Sequence, residues 1–119
     1  MAWLSRRLAA FGHAFHGLAT LLKETPHAQF HLLATAGVVA LGAYLDVSRT
    51  DWQALVLAIA LVWVAEGMNT ALEYLADAAV PEQHPLVGKA KDVAAGAVLL
   101  SAAFSIVIAL LVFGPYVAG

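Results

Sequence analysis

Three long apolar segments constrain this chain more than any other feature of its sequence. Residues 28–45 and 93–113 contain no Asp, Glu, Lys or Arg, and residues 52–65 are apolar before the chain turns acidic at Glu66. Eighteen residues form a helix of about 27 Å at ~1.5 Å per residue, close to the ~30 Å of a hydrocarbon core. Lipid offers the backbone no hydrogen bonds, so such segments must be helical. We predict membrane-spanning helices at about residues 28–45, 52–75 and 93–113.

The composition agrees with a bilayer as the solvent. Apolar residues make up 62% of the 119 residues and charged residues 12%, against about 25% charged in soluble proteins. From the length we expect one domain, residues 1–119. A soluble domain of this size could not bury so much apolar surface, so we expect the bilayer to be its solvent. The net charge of −2 and the lack of a basic tract argue against a nucleic-acid partner. The lack of cysteine excludes disulfides and thiolate sites.

The first 22 residues predict an amphipathic helix at the membrane surface. Their apolar residues recur at alternating spacings of four and three, which places them on one helical face: Leu4, Leu8, Phe11, Phe15, Leu18 and Leu22. A soluble core helix is the alternative. Thr25-Pro26 predicts the N-cap and first residue of the next helix. Asp51 is the predicted N-cap of the second span, and Gly114-Pro115 is predicted to end the third.

The basic residues predict how the chain is oriented. Arg49 is alone in the first hairpin, while the other five lie on the opposite side of the predicted membrane: Arg6, Arg7, Lys23, Lys89 and Lys91. Because cytoplasmic loops are enriched in Lys and Arg, we expect a multi-pass protein of the inner (plasma) membrane. Its N-terminus and the acidic end of the second span would then face the cytoplasm.

Four polar residues, which we call the acidic stripe, follow the apolar part of the second span: Glu66, Asn69, Glu73 and Asp77. At about 100° per residue they occupy a strip of roughly 80° on one helical face. Carboxylates near lipid are costly and normally face protein or water, so they are candidates for function. Glu66 lies deepest and is the candidate base. Glu73 and Asp77 suit a divalent cation, and Asn69 could donate to a phosphate or orient a carboxylate.

These residues leave several functions open. Phosphoryl transfer needs a metal, a cation beside the phosphate and a base, which the stripe with Lys91 and Asp92 could supply. The acids could instead simply pair with Lys89 or Lys91. They could also line a proton or cation channel, although residues 52–65 carry no charge that would continue such a path. A non-catalytic assembly subunit is a weaker alternative. No Walker A loop or GxGxxG motif is present.

Two long motifs resemble a known family. EGMNTALEYLAD and GKAKDVAAGAVLL, together with AFGHAFHGL and HLLAT, are similar to the small prokaryotic diacylglycerol kinases and undecaprenol kinases. The resemblance implies an all-α membrane protein with a surface helix, three spans and a cytoplasm-facing active site. It also implies a homotrimer with shared active sites. The implied reaction transfers the ATP γ-phosphate to a membrane lipid alcohol with Mg²⁺. The AGAVLL and HPL segments favour undecaprenol over diacylglycerol.

The resemblance also implies roles for individual residues. Glu66 would be the general base, Glu73 a magnesium ligand, and Asn69 and Asp77 would support nucleotide and metal binding. The residues implied to contact or lie near the nucleotide are Lys91, Asp92, Glu82, His84, Arg6, His13 and Gly17.

The chain departs from the family at one position of the metal site. Thr25 stands where a second magnesium-binding glutamate is usual, and Glu24 is its neighbour. Either Glu24 serves, or the metal depends on Glu73 and Asp77. We interpret His27 and His31 as interfacial histidines rather than a metal pair. Ser101 and Ser105 are expected to hydrogen-bond within their own helix.

Overall fold

The structure, a computed structural model, describes residues 1–119 and consists of four helices without a strand. Their bounds are Ala2–Glu24 (α1), Pro26–Leu45 (α2), Arg49–Ala79 (α3) and Pro85–Ala118 (α4). By length and composition α2, α3 and α4 could each cross a membrane. The predicted all-α fold with three long apolar helices is confirmed.

The junction between α1 and α2 follows from Pro26. A proline disfavours helical backbone in the residue before it, and Thr25 is extended at φ −115° and ψ 110°. Pro26 then occupies the first turn of α2, where its missing N–H costs nothing. The predicted helix start is confirmed, but the Thr25 side chain makes no capping hydrogen bond.

The turn between α2 and α3 is tight and is capped by a serine. Asp46 adopts the left-handed conformation at φ 51°, which short polar side chains tolerate better than most. Ser48 Oγ accepts a hydrogen bond from the Asp51 N–H at 3.1 Å. The prediction that Asp51 caps α3 is therefore wrong. Asp51 lies in the first turn instead, where its charge suits the positive end of the helix.

The α4 helix is longer than the apolar segment within it. It begins at Pro85, where His84 Nδ1 accepts the Leu86 N–H at 3.2 Å. It continues past Gly114-Pro115 to Ala118, so the predicted end is wrong. Pro115 falls in the last turn, and only three residues of the helix follow it. The Tyr116 hydroxyl donates to Asp51 Oδ2 at 2.6 Å and accepts the Ser48 N–H at 3.0 Å, which ties this end to the start of α3.

Very little of the chain is buried within a single copy. Eleven of 119 residues are buried, and the main apolar cluster lies at the hairpin end of the bundle: Val47, Leu55, Val112 and Phe113. Ser105 Oγ donates across to the Ala58 carbonyl of α3 at 3.1 Å, so its predicted bond within α4 is wrong. A small residue at 58 leaves that carbonyl within reach. Ser101 does bond within α4, to the Val98 carbonyl.

The α1 helix has no partner for its apolar face in this chain. Leu21 is its only buried residue, and the residues at its more N-terminal apolar positions are all exposed: Leu4, Leu8, Phe11, Phe15 and Leu18. The helix extends two residues beyond the predicted end, to Glu24. Its place at a membrane surface stays a prediction.

Candidate active site

All four residues of the acidic stripe line one cavity of about 420 Å³, which we call the polar cavity. They lie on the C-terminal half of α3, and the junction between α1 and α2 contributes Glu24 and Thr25 to the same cavity. The helical spacing that places the stripe on one face thus also brings it against Thr25, where the chain departs from the family that it resembles. The roles of these residues stay predictions.

Glu66 is the most deeply buried charged side chain, with 1% of its surface exposed. Neither of its carboxylate oxygens has a partner with full hydrogen-bond geometry, and the buried Oδ1 of Asn69 also lacks one. The one Lys, Arg or His nitrogen within ion-pair distance is His31 Nε2, 3.3 Å from Glu66 Oε2. A buried polar atom without a hydrogen bond is costly. These atoms therefore suit a site in which a bound molecule supplies the missing hydrogen bonds.

Sequence reasoning missed the contact of His31 with Glu66. The interpretation of His31 as an interfacial histidine did not include this contact, in which its side chain is 13% exposed and faces the carboxylate. His27, in contrast, is exposed. The sequence does mark His31 as a candidate. It is the only histidine inside the apolar segment 28–45, and an ionisable residue at membrane depth is a functional candidate by default.

Lys91 connects the start of α4 to the outer part of the acidic stripe. Its Nζ donates to Asp77 Oδ1 at 2.7 Å and lies 3.5 Å from Glu73 Oε2. Lys89 forms no ion pair with the stripe. The simple ion-pair interpretation therefore describes Glu73 and Asp77 but leaves Glu66 unexplained.

Glu24 reaches the polar cavity although Thr25 stands at the family position. Its Oε1 accepts a hydrogen bond from the Tyr74 hydroxyl at 3.2 Å. No three Asp, Glu or His side chains of the single chain converge closely enough to hold a metal ion. The donor set still fits magnesium, which binds through one or two carboxylates and keeps several waters. Asn69 Oδ1, which has no hydrogen-bond partner, adds a further polar atom to the same cavity.

A second polar cavity, of about 540 Å³, lies beside the loop between α3 and α4. Glu82 and His84 line it together with Asp77 and Lys91. Asp77 lines both polar cavities, so the two adjoin at this side chain. Asp92 lines neither of them, and its predicted contact with phosphates has no support from this geometry.

Three predicted residues lie away from both cavities. Arg6, His13 and Gly17 are exposed on α1 and line neither one. Open space surrounds Gly17, where an added Cβ would meet no atom within 4 Å. A single chain does not bring these residues to the acidic stripe.

An apolar cavity of about 270 Å³ lies between α2, α3 and α4. His31 lines it, as do Thr35 of α2 and Ser105 of α4. Trp63 Nε1 donates to Thr35 Oγ1 at 2.9 Å, so this tryptophan joins α2 to α3. The apolar cavity and Glu66 meet at His31.

Fold and site together define a helical membrane protein with a carboxylate-rich, lysine-linked site at one end of its spans. Residues 12–113 match the sequence profile of the family described as prokaryotic diacylglycerol kinase. The chain is 36% identical over 112 residues to the undecaprenol kinase of Bacillus subtilis (strain 168), which covers 94% of this chain and 91% of the relative. It is 32% identical over 98 residues to the diacylglycerol kinase of Escherichia coli (strain K12), covering 82% and 80%.

The chain belongs to the prokaryotic diacylglycerol kinase family. The predicted family, and with it the class of membrane lipid kinase, is confirmed.

Proposed function

We propose that this protein transfers the γ-phosphate of ATP to the hydroxyl of undecaprenol, giving undecaprenyl phosphate. The observation that carries the proposal is Glu66, a buried carboxylate without a hydrogen-bonded partner, in one cavity with Glu73 and Asp77. The relative named undecaprenol kinase supports the substrate. Diacylglycerol is the second candidate, because relatives named diacylglycerol kinase also match over most of the chain. Membership of a kinase family removes the reason to consider a channel.

The reaction is a direct in-line transfer. Glu66 takes the proton of the lipid hydroxyl, and the hydroxyl oxygen forms a bond to the γ-phosphorus. The bond from that phosphorus to the bridging oxygen of ADP breaks, and ADP leaves with the electron pair. Lys91 stabilises the charge on the transferring group.

The outer acids would hold Mg²⁺, whose charge neutralises the ATP phosphates when it is bound. Glu73 and Asp77 are the principal candidate ligands, with Glu24 on the opposite wall of the polar cavity. Both principal ligands contact Lys91 Nζ. Lys91 would therefore exchange these carboxylates for phosphate oxygens as the nucleotide binds. Glu82 and His84 would lie near the nucleotide, in the cavity that adjoins at Asp77.

We also propose a homotrimer in the inner (plasma) membrane, with its N-terminus and active sites in the cytoplasm. The placement of basic residues supports the orientation. The polar cavity and most of the chain are open within one copy, which supports an assembly that shares its sites. Arg6, His13 and Gly17 could reach an active site only in a neighbouring subunit, or not at all.

Radiolabel transfer tests the proposal. The purified full chain in micelles receives γ-labelled ATP, Mg²⁺ and either undecaprenol or diacylglycerol. We expect labelled undecaprenyl phosphate as the product with the higher kcat/KM. Glu66→Gln should lower kcat by about 10²- to 10⁴-fold, the usual contribution of general base catalysis.

Asp46→Asn is the matched control for Glu66→Gln. It also replaces an acid by its amide, but in the hairpin turn, and asparagine tolerates the left-handed backbone found there. No lipid product from folded wild-type protein would contradict the kinase function. Full activity of Glu66→Gln would contradict only the assignment of the base, and a higher kcat/KM for diacylglycerol would contradict only the choice of lipid.

A further inference from the structure

We propose that His31 is a positioning residue for Glu66, which it holds through the close contact of its Nε2 with Oε2. The inference rests on the proposed function, because it requires Glu66 to act as the base. It assigns a role to a side chain that enters the reaction only through another group.

His31 is the one basic side chain that contacts Glu66. His31 Nε2 lies 3.3 Å from Glu66 Oε2, and no other Lys, Arg or His nitrogen is within ion-pair distance of that carboxylate. Both side chains are largely or fully withdrawn from solvent, at 13% and 1% exposure. The contact with His31 is made at Oε2, and Oε1 has no hydrogen-bond partner. That oxygen is therefore available to receive the proton of a lipid hydroxyl.

The surroundings of His31 fix its ring in place. The Trp63 ring meets it edge to face, with centroids 6.3 Å apart and planes at 66°. Trp63 is itself anchored by its hydrogen bond to Thr35. His31 and Thr35 are four residues apart on α2, while Trp63 and Glu66 are three apart on α3, so each pair shares a helical face. The contact of His31 with Glu66 and the hydrogen bond of Trp63 with Thr35 are therefore neighbours between α2 and α3. Together they hold the imidazole against the carboxylate.

His31 also stands where a lipid hydroxyl should meet the base. It lines the apolar cavity between α2, α3 and α4, whereas Glu66 lines the polar cavity. A lipid alcohol has an apolar chain and one polar end, and this boundary suits both. Misplacing a catalytic group by about 1 Å can lower a rate by about 10²-fold, so the position of Glu66 matters at this boundary.

Substitutions that separate hydrogen bonding from packing test the role. His31→Phe keeps a ring without a donor, and His31→Gln keeps an N–H donor without a ring. We expect His31→Phe to lower kcat for lipid phosphorylation by about 10²-fold with little change in the KM for ATP. His31→Gln should recover most of that loss. The matched controls are His16→Phe and His16→Gln, at an exposed histidine of α1, and both should retain wild-type kcat.

Two results would contradict a positioning role for His31. A purely structural role predicts that His31→Phe retains activity or that His31→Phe and His31→Gln lose it equally, and either result overturns the proposal. All variants are compared after size-exclusion chromatography shows the wild-type particle. Should His31→Phe fail to fold, His31→Leu takes its place as the variant without a donor. Absence of lipid product from the wild type would instead refute the proposed function, so the two failures are distinguishable.

Discussion

Lys91 contacts two carboxylates for which we also propose a role in the reaction. Its Nζ contacts Asp77 and Glu73, the two carboxylates proposed to hold magnesium. A lysine is a flexible point charge with three donors, so it can leave these acids for phosphate oxygens. In the absence of nucleotide, the same ammonium group offsets the repulsion between the two acids. In the proposed mechanism, Lys91 thereby has one role before the nucleotide binds and another after it has bound.

Replacing Lys91 should therefore affect catalysis more than folding. We expect Lys91→Gln to lower kcat by about 10²-fold, the usual cost of removing one donor that stabilises transition-state charge, and to raise the KM for ATP. Lys89→Gln is the control, because Lys89 is exposed and forms no ion pair. Steady-state kinetics with both variants measure the effect. Equal activity of the two would show that Lys91 has no role in transfer.

The position of the second metal ligand can be decided between two adjacent residues. We expect Glu24→Gln to raise the Mg²⁺ concentration needed for half-maximal activity, because it removes a carboxylate from the polar cavity. Thr25→Val should leave that concentration unchanged, since the Thr25 side chain makes no capping bond. Magnesium titration at saturating ATP measures both. An unchanged requirement in Glu24→Gln would leave the metal to Glu73 and Asp77.

At the scale of elements, the hairpin between α2 and α3 depends on a close approach at Gly42. A Cβ added there would lie 2.7 Å from the Trp52 ring. We expect Gly42→Ala to destabilise the protein by about 1–3 kcal/mol, as overpacking usually does. Gly37→Ala is the control on the same helix, because a Cβ there meets no atom within 4 Å. It should be neutral or stabilise by up to ~1 kcal/mol.

Thermal unfolding in detergent compares these two glycines. A lower Tm for Gly42→Ala but not for Gly37→Ala is the expected result. Equal Tm values would mean that Trp52 moves aside without cost.

The hydroxyl group of Tyr116 holds the C-terminal end of α4 against the start of α3. Tyr116 bonds both Asp51 and Ser48, and a hydrogen bond is worth about 1 kcal/mol net. We expect Tyr116→Phe to lower the free energy of unfolding by about 1–2 kcal/mol without changing kcat, because this cluster lies at the opposite end of α3 from the acidic stripe. Tyr44→Phe is the control, since Tyr44 is 85% exposed. An unchanged Tm in Tyr116→Phe would contradict the anchor.

At the scale of the whole molecule, one copy leaves both its apolar surface and its site open. Eleven of 119 residues are buried, so most of the surface is left for lipid and for the other chains of the proposed trimer. We expect native mass spectrometry from detergent to give particles of three chains, and we expect activity to be lost when dilution separates them. An active monomer would contradict the shared sites of the proposed trimer.

The sequence predicted most of the fold and one face of the site. Apolar length and helical spacing depend only on local sequence, so the spans and the acidic stripe could be recognised. Contacts between helices could not be predicted in this way. The pairing of His31 with Glu66 and of Tyr116 with Asp51 depends on how α2, α3 and α4 pack. The cap at Ser48 depends on the backbone conformation of the turn between α2 and α3. The predicted end of α4 is wrong because the contacts of Tyr116 with the start of α3 outweigh a local helix-breaking pair.

The contact between His31, which lines the apolar cavity, and Glu66, which lines the polar cavity, has a consequence for how substrate is supplied. A lipid alcohol could present its head to Glu66 while its tail remains among hydrocarbon, so the enzyme need not extract it from the bilayer. Encounter then becomes lateral diffusion in two dimensions. Turnover should follow the mole fraction of the alcohol among the surrounding lipids rather than its amount per volume of solution.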